Sequence, residues 1–146
     1  MRKFVLGYNF IVFAFVFVIV LLSLNRPNPE LIALLVISLI GVVAIISLFL
    51  KKNMYASLLS LVLLFLFQSI SGTISGMYYK FIIGPTLFFA YFKNPEAITK
   101  FGATINFSCD VSATKQDDPV FVINILHLLM FIYFIRWLNK VEKIKA

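Results

Sequence analysis

One cysteine, one histidine and one tryptophan stand among the 146 residues, and only six carboxylates face thirteen cations. A lone cysteine cannot staple its own chain, so no internal disulfide framework is available. With Cys109 and His127 each single, no His/Cys/Asp/Glu set has metal-ligand spacing. Neither a phosphate-cradling glycine loop nor a serine, histidine and aspartate arrangement occurs. The long apolar stretches contain no Asp or Glu, which removes the intramembrane carboxylate that ion-coupled transporters usually need. The chain is therefore expected to be non-enzymatic, with no cofactor and no metal. Nucleic-acid binding is not expected either, because the cations are few and no folded basic domain carries them.

What the chain does have is hydrophobic length. Apolar blocks run from Phe4 to Leu24, Leu31 to Leu50, Met54 to Met77 and Val120 to Leu138, each about the ~20 residues that a helix needs to cross a bilayer core. Backbone groups inside a bilayer must be satisfied within the segment, so such runs read as helices. The first block follows Met1-Arg2-Lys3 like a signal sequence, but its length and the lack of a cleavage site after Ser23 read as a retained anchor.

Charge then orients the blocks. With the amino terminus cytoplasmic, the inner connections hold Arg2, Lys3, Lys51, Lys52, Arg136, Lys140, Lys143 and Lys145 against one acid, Glu142, while the outer ones balance five cations against five acids. This is the positive-inside pattern. The expected fold is an all-α integral membrane protein with four transmembrane helices, both termini cytoplasmic, and a small α+β outer cap between helices 3 and 4. Residues 1–77 hold helices 1–3, residues 78–119 the cap, and residues 120–146 helix 4 with a basic tail. Phe81 to Phe92 is a further apolar run, which either spans or lies at the outer interface.

Helix starts share one grammar of a polar cap, then proline, then often an acid. Asn28-Pro29-Glu30 opens the second block, Asp118-Pro119 the fourth, and Asn94-Pro95-Glu96 predicts a short helix over 95–101 that ends at Gly102. From Ala103 to Thr114 the period changes to two, with Ile105, Phe107, Cys109 and Val111 on one face. That is a half-buried strand, which needs a partner: the aromatic run Leu87 to Phe92, or an edge supplied by another protein. Cys109 on its apolar face reads as a packed side chain, or as an intermolecular disulfide in an oxidising outer compartment.

Polar residues inside the blocks mark where helices should meet. Gln68, Asn124 and His127 are costly in hydrocarbon unless bonded, so they face protein. Gly72 and Gly76 form a small-xxx-small pair, with Gly41 offering a weaker surface, and all six are read as helix-association positions. Ile105, Phe107, Cys109 and Val111 are the interaction surface of the cap. Lys51, Lys52, Arg136, Lys140, Lys143 and Lys145 form a basic cytoplasmic face toward anionic lipid.

Two functions from different classes fit these features. The first is a non-enzymatic inner-membrane interaction protein of bacterial defence type, either an immunity or exclusion protein against a membrane-acting toxin or phage, or the membrane sensor of an antiphage system. It would act as a homo-oligomer or in a complex with another protein. The second is a subunit of an oligomeric channel or transporter with a polar path near Gln68, Asn124 and His127.

Overall fold

Asn28 starts the best-defined helix of the chain. Its side chain accepts a hydrogen bond from the Leu31 N–H at 2.7 Å, Pro29 fills the first turn, and Glu30 complements the helix dipole. In the computed structural model, which describes residues 2–25, 28–93, 97–115 and 118–145 without the side chains of 144 and 145, this helix is α2 (Pro29–Phe49). It follows α1 (Arg2–Leu22), and these two are long and apolar enough to cross a membrane. Both keep large apolar side chains outward, with Phe4 78% and Leu22 74% exposed.

The other two apolar blocks are not single helices, and the all-α expectation fails there. Among the described residues the structure has four helices and a four-stranded antiparallel sheet. The third block is α3 (Met54–Ser69) only to Ser69, after which Ile70–Ile74 is a strand, β1. The fourth block likewise begins as a strand, β4 (Phe121–Asn124), and becomes α4 (Ile125–Lys145) two residues before His127. The two switches coincide in space, because Ile70 pairs with Ile123 and Gly72 with Phe121. The β-branched residues Ile70, Thr73 and Ile74 favour the strand. Gly72 also lies so close to β4 that a Cβ on it would come 2.5 Å from the Val120 carbonyl oxygen. Hydropathy reports burial and cannot tell a helix from a strand that is buried among helices.

A two-residue turn at Ser75 and Gly76, with φ of 51° and 80°, joins β1 to β2 (Met77–Phe92). Positive φ at both central residues is the type I′ geometry that suits hairpin twist. β2 pairs along its whole length with β3 (Ile98–Ala113), from Met77 opposite Ala113 to Phe92 opposite Ile98. The alternating residues 103–114 fall within this strand and its continuation. The short helix expected over 95–101 is not formed: residues 94–96 lie outside the described residues, and Ile98–Phe101 belong to β3. Its predicted stop, Gly102, instead lies under the Phe88 ring on β2. Phe81–Phe92, the supposed fifth span or interfacial segment, lies inside β2.

The order of the sheet is β1-β4-β2-β3, with β1 also paired to β2. β1 and β4 are antiparallel, yet β2 runs antiparallel to β1 over 77–79 and antiparallel to β4 over 88–91. All three pairings hold only if β2 turns back on itself between them. Gly84, at φ +104°, and Pro85 supply the bend, and the apex reaches the helices: a Cβ on Gly84 would meet the Val12 side chain at 2.8 Å. Phe107, beside the bend on β3, touches Phe15 with ring centroids 6.2 Å apart. Residues 78–119 are therefore no separate outer cap, since their ribbon folds back against the middle of α1.

The core forms where the helices and this bend meet. Phe13, Ile45, Leu58, Leu61, Phe65 and Phe134 are buried together, and Phe65 stacks on Phe134 at 5.4 Å and 7°. Each such side chain contributes about 1.5–3 kcal/mol by leaving water, where water is the alternative.

Candidate functional site

The reversal of β2 creates a problem that three polar residues solve. Between its contacts with β1 and β4, the inner edge of β2 has no strand partner, and Ile83 lies buried among helices. An unpaired backbone group there would cost about 1–3 kcal/mol. The Ile83 N–H donates to Gln68 Oε1 on α3 at 3.0 Å, and His127 Nε2 on α4 donates to the Ile83 carbonyl at 3.1 Å. Two side chains thus stand in for the missing strand. Asn124 completes the group by bonding His127 Nδ1 through its amide nitrogen, while its Oδ1 takes the His127 backbone N–H at 3.5 Å and caps α4. The helix start expected at Asp118-Pro119 lies at Asn124.

These bonds decide the state of the imidazole. Nδ1 accepts and Nε2 donates, so the ring is neutral and protonated on Nε2. It lies over Phe65 at 5.8 Å. Gln68 is 1% exposed, and its Nε2 has no partner among the described residues. A cavity on the α1 side of His127, lined by Asn9, Phe13, Ile83 and His127 among others but not by Gln68, holds about 10 Å³. That is at the lower limit for one water. Among the described residues, no group of three His, Cys, Asp or Glu comes together. The arrangement holds backbone in place, and a polar path through it is filled by Ile83.

Gln68, Asn124 and His127 are therefore brought together, but around a strand and not between helices. Gly72 and Gly76 sit in β1 and its turn, so their spacing has no helix face to act on. Gly41 remains helical and packs against the Phe13 ring. Sequence reasoning missed Ile83, whose role belongs to its backbone and leaves no mark in residue type. It also missed Tyr79, whose hydroxyl donates to the Phe67 carbonyl at the end of α3. A strand reading of 77–83 would have brought Tyr79 back alongside α3.

A second feature lies at the other side of β2. Among the described residues β3 pairs with β2 alone, so its outer edge carries no further strand, although α2 packs against part of β3. Of the four expected interaction residues, Ile105 and Val111 are 69% and 64% exposed, Phe107 is partly covered by Phe15, and Cys109 packs against the core. Burial, with the charges of Glu30 and Asp110 near it, pushes the Cys109 thiol up. It is thus held away from the reactive thiolate.

The expected basic residues gather at one end. Lys51 and Lys52 are exposed in the α2–α3 turn, and Arg136, Lys140 and Lys143 are exposed on α4, while the side chain of Lys145 lies outside the described residues. Arg2 joins this end, with its guanidinium 4.9 Å above the Trp137 ring. The first residues of α1 and the last turns of α4 are therefore neighbours. Compared with protein-family models, curated proteins and solved structures, the chain matches none.

Proposed function

We propose that the chain is a membrane-resident, non-enzymatic interaction protein, held in the bilayer by α1 and α2, that engages another protein along the open edge of β3. The edge itself carries this reading: a strand of 16 residues, paired on one side, with Phe101, Ile105 and Val111 exposed. Such edges are templates for an added strand unless something blunts them. The outward apolar side chains of α1 and α2 support a membrane setting, and the gathering of the basic residues at one end supports a cytoplasmic placement for both termini. The narrower form of the proposal is a bacterial immunity or exclusion protein, or the sensor subunit of an antiphage system.

A photo-crosslinking residue at Ile105 or Val111 in native membranes tests it. A discrete protein adduct from either position, absent when the same probe replaces Phe4 or Leu22, is the expected result. Adducts to lipid alone at all four positions would sink the proposal. The second reading, a channel or transporter subunit, needs Gln68, Asn124 and His127 to line a path. Their engagement with Ile83 weighs against it, and proteoliposome flux abolished by His127→Leu would restore it.

A further inference from the structure

We propose that the groove between the start of α1 and the last turns of α4 is a binding site for the phosphate headgroup of an anionic phospholipid. The groove is a cavity of about 300 Å³. Its α4 wall is a single helical stripe, Leu129, Ile132, Tyr133, Arg136, Trp137 and Lys140, at spacings of three and four, and Arg2 closes it from α1. The basic face described above is a spread of surface charge, whereas this is an open groove where two elements bring three cations together.

The lining is graded like a lipid. Arg2, Arg136 and Lys140 crowd the terminal end, and no carboxylate lines the groove among the described residues. Three like charges this close repel one another unless an anion is shared between them, and arginine matches phosphate geometry with paired donors. Counted along the helix from Lys140 at 1.5 Å per residue, the wall becomes Ile132 after about 12 Å and Leu129 after about 16 Å. Leu129 is 58% exposed, so this end opens sideways onto whatever surrounds the helices.

Between the two ends lies Tyr133. Its hydroxyl oxygen is buried and has no hydrogen-bond partner among the described residues. A buried O–H without an acceptor is unfavourable, and a glycerol-ester or phosphate oxygen at this depth would accept from it. Trp137, buried under Arg2, forms the floor and holds that guanidinium toward the groove. A free phosphate ion would use the cations but not the apolar wall, so the lipid accounts for more of the site. The inference is independent of what β3 engages.

Equilibrium binding of a fluorescent phosphatidylglycerol to the full chain in a neutral detergent tests it. Saturation at one lipid per chain is expected, with R136Q/K140Q weakening binding roughly thirty-fold, as two basic residues at an anionic headgroup are worth, and K51Q/K52Q changing it by less than about twofold. Both pairs are exposed, so folding is not at stake, and both remove the same charge. Tyr133→Phe should weaken binding in the same direction, by about fivefold for one hydrogen bond. Equal losses in the two double variants would overturn the site in favour of diffuse charge attraction. So would competition by phosphatidylcholine as strong as by phosphatidylglycerol, or displacement by inorganic phosphate at the lipid's own concentration.

Discussion

The α1–α2 pair and the α3–α4 pair are both built from long apolar stretches of chain, the first two the more apolar, yet only the first pair is helical from end to end. α1 and α2 follow each other through a short connection and pack as neighbours. α3 and α4 are separated by a long excursion that has to leave and return, and each gives up part of its apolar block to a strand at that junction. Hydrophobic length therefore measures how much chain is suited to leave water, while the choice of backbone is made by what lies alongside.

The largest expected effect comes from putting a side chain where β1 meets β4. Gly72→Val would force a β-branched residue into φ +155° and drive it into the Val120 carbonyl, at a cost of about 2–6 kcal/mol from backbone strain and overpacking together. Gly7→Ala in α1, where nothing lies within 4 Å, should instead stabilise by about 0.5–1 kcal/mol. Thermal unfolding in detergent reads both. If Gly72→Val behaved like a mild helix substitution, the contrast between the two helix pairs would collapse.

Gly84→Ala comes next, since it strains the bend at φ +104° and also presses on Val12. A loss of about 1–3 kcal/mol is expected from the backbone alone. Adding Val12→Ala should recover only the steric share, and complete recovery would show that the bend needs space and not a special backbone. The polar group around Ile83 gives a loss of similar or smaller size. Gln68→Leu keeps the bulk but orphans the Ile83 N–H, costing about 1–3 kcal/mol, whereas Ser60→Ala, at an exposed hydroxyl bonded within α3, should cost under about 0.5 kcal/mol. Equal effects would mean that β2 does not lean on Gln68.

The smallest effect is chemical. Because burial raises the Cys109 pKa, less thiolate is present at neutral pH than for an exposed cysteine. Maleimide labelling of the folded chain should be slow at pH 7 and keep climbing above pH ~8.5, where an ordinary thiol begins to level off. Labelling at pH 7 as fast as in the denatured chain would put Cys109 on the open side of β3, not against the helices.

Local rules account for what was legible from sequence. The cap at Asn28, the uninterrupted α1 and α2, and the alternation around Ile105 to Val111 each depend on neighbours in the chain, and each can be read there. β1 and β4 could not be found this way. β4 does not alternate in polarity, the alternation in β1 spans only the five residues Ile70–Ile74 at the end of a helical run, and each strand is stabilised by the other across a long separation in sequence. The same holds for the candidate site. Gln68, Asn124 and His127 stood out as polar residues that needed partners, but the main-chain groups of Ile83 that Gln68 and His127 engage are ones any residue type except proline would supply.

Ile70 and Ile123 stand opposite each other although about fifty residues separate them, a loop whose closure is entropically slow to reach. The tight β1–β2 turn joins near neighbours, and the β2–β3 hairpin can grow pair by pair outward from Phe92 opposite Ile98. In folding, the ribbon should therefore form and bend before the last helix can dock, which makes the joining of β4 to β1 the step that locks the molecule. Variants that weaken this junction should speed unfolding and leave hairpin formation untouched.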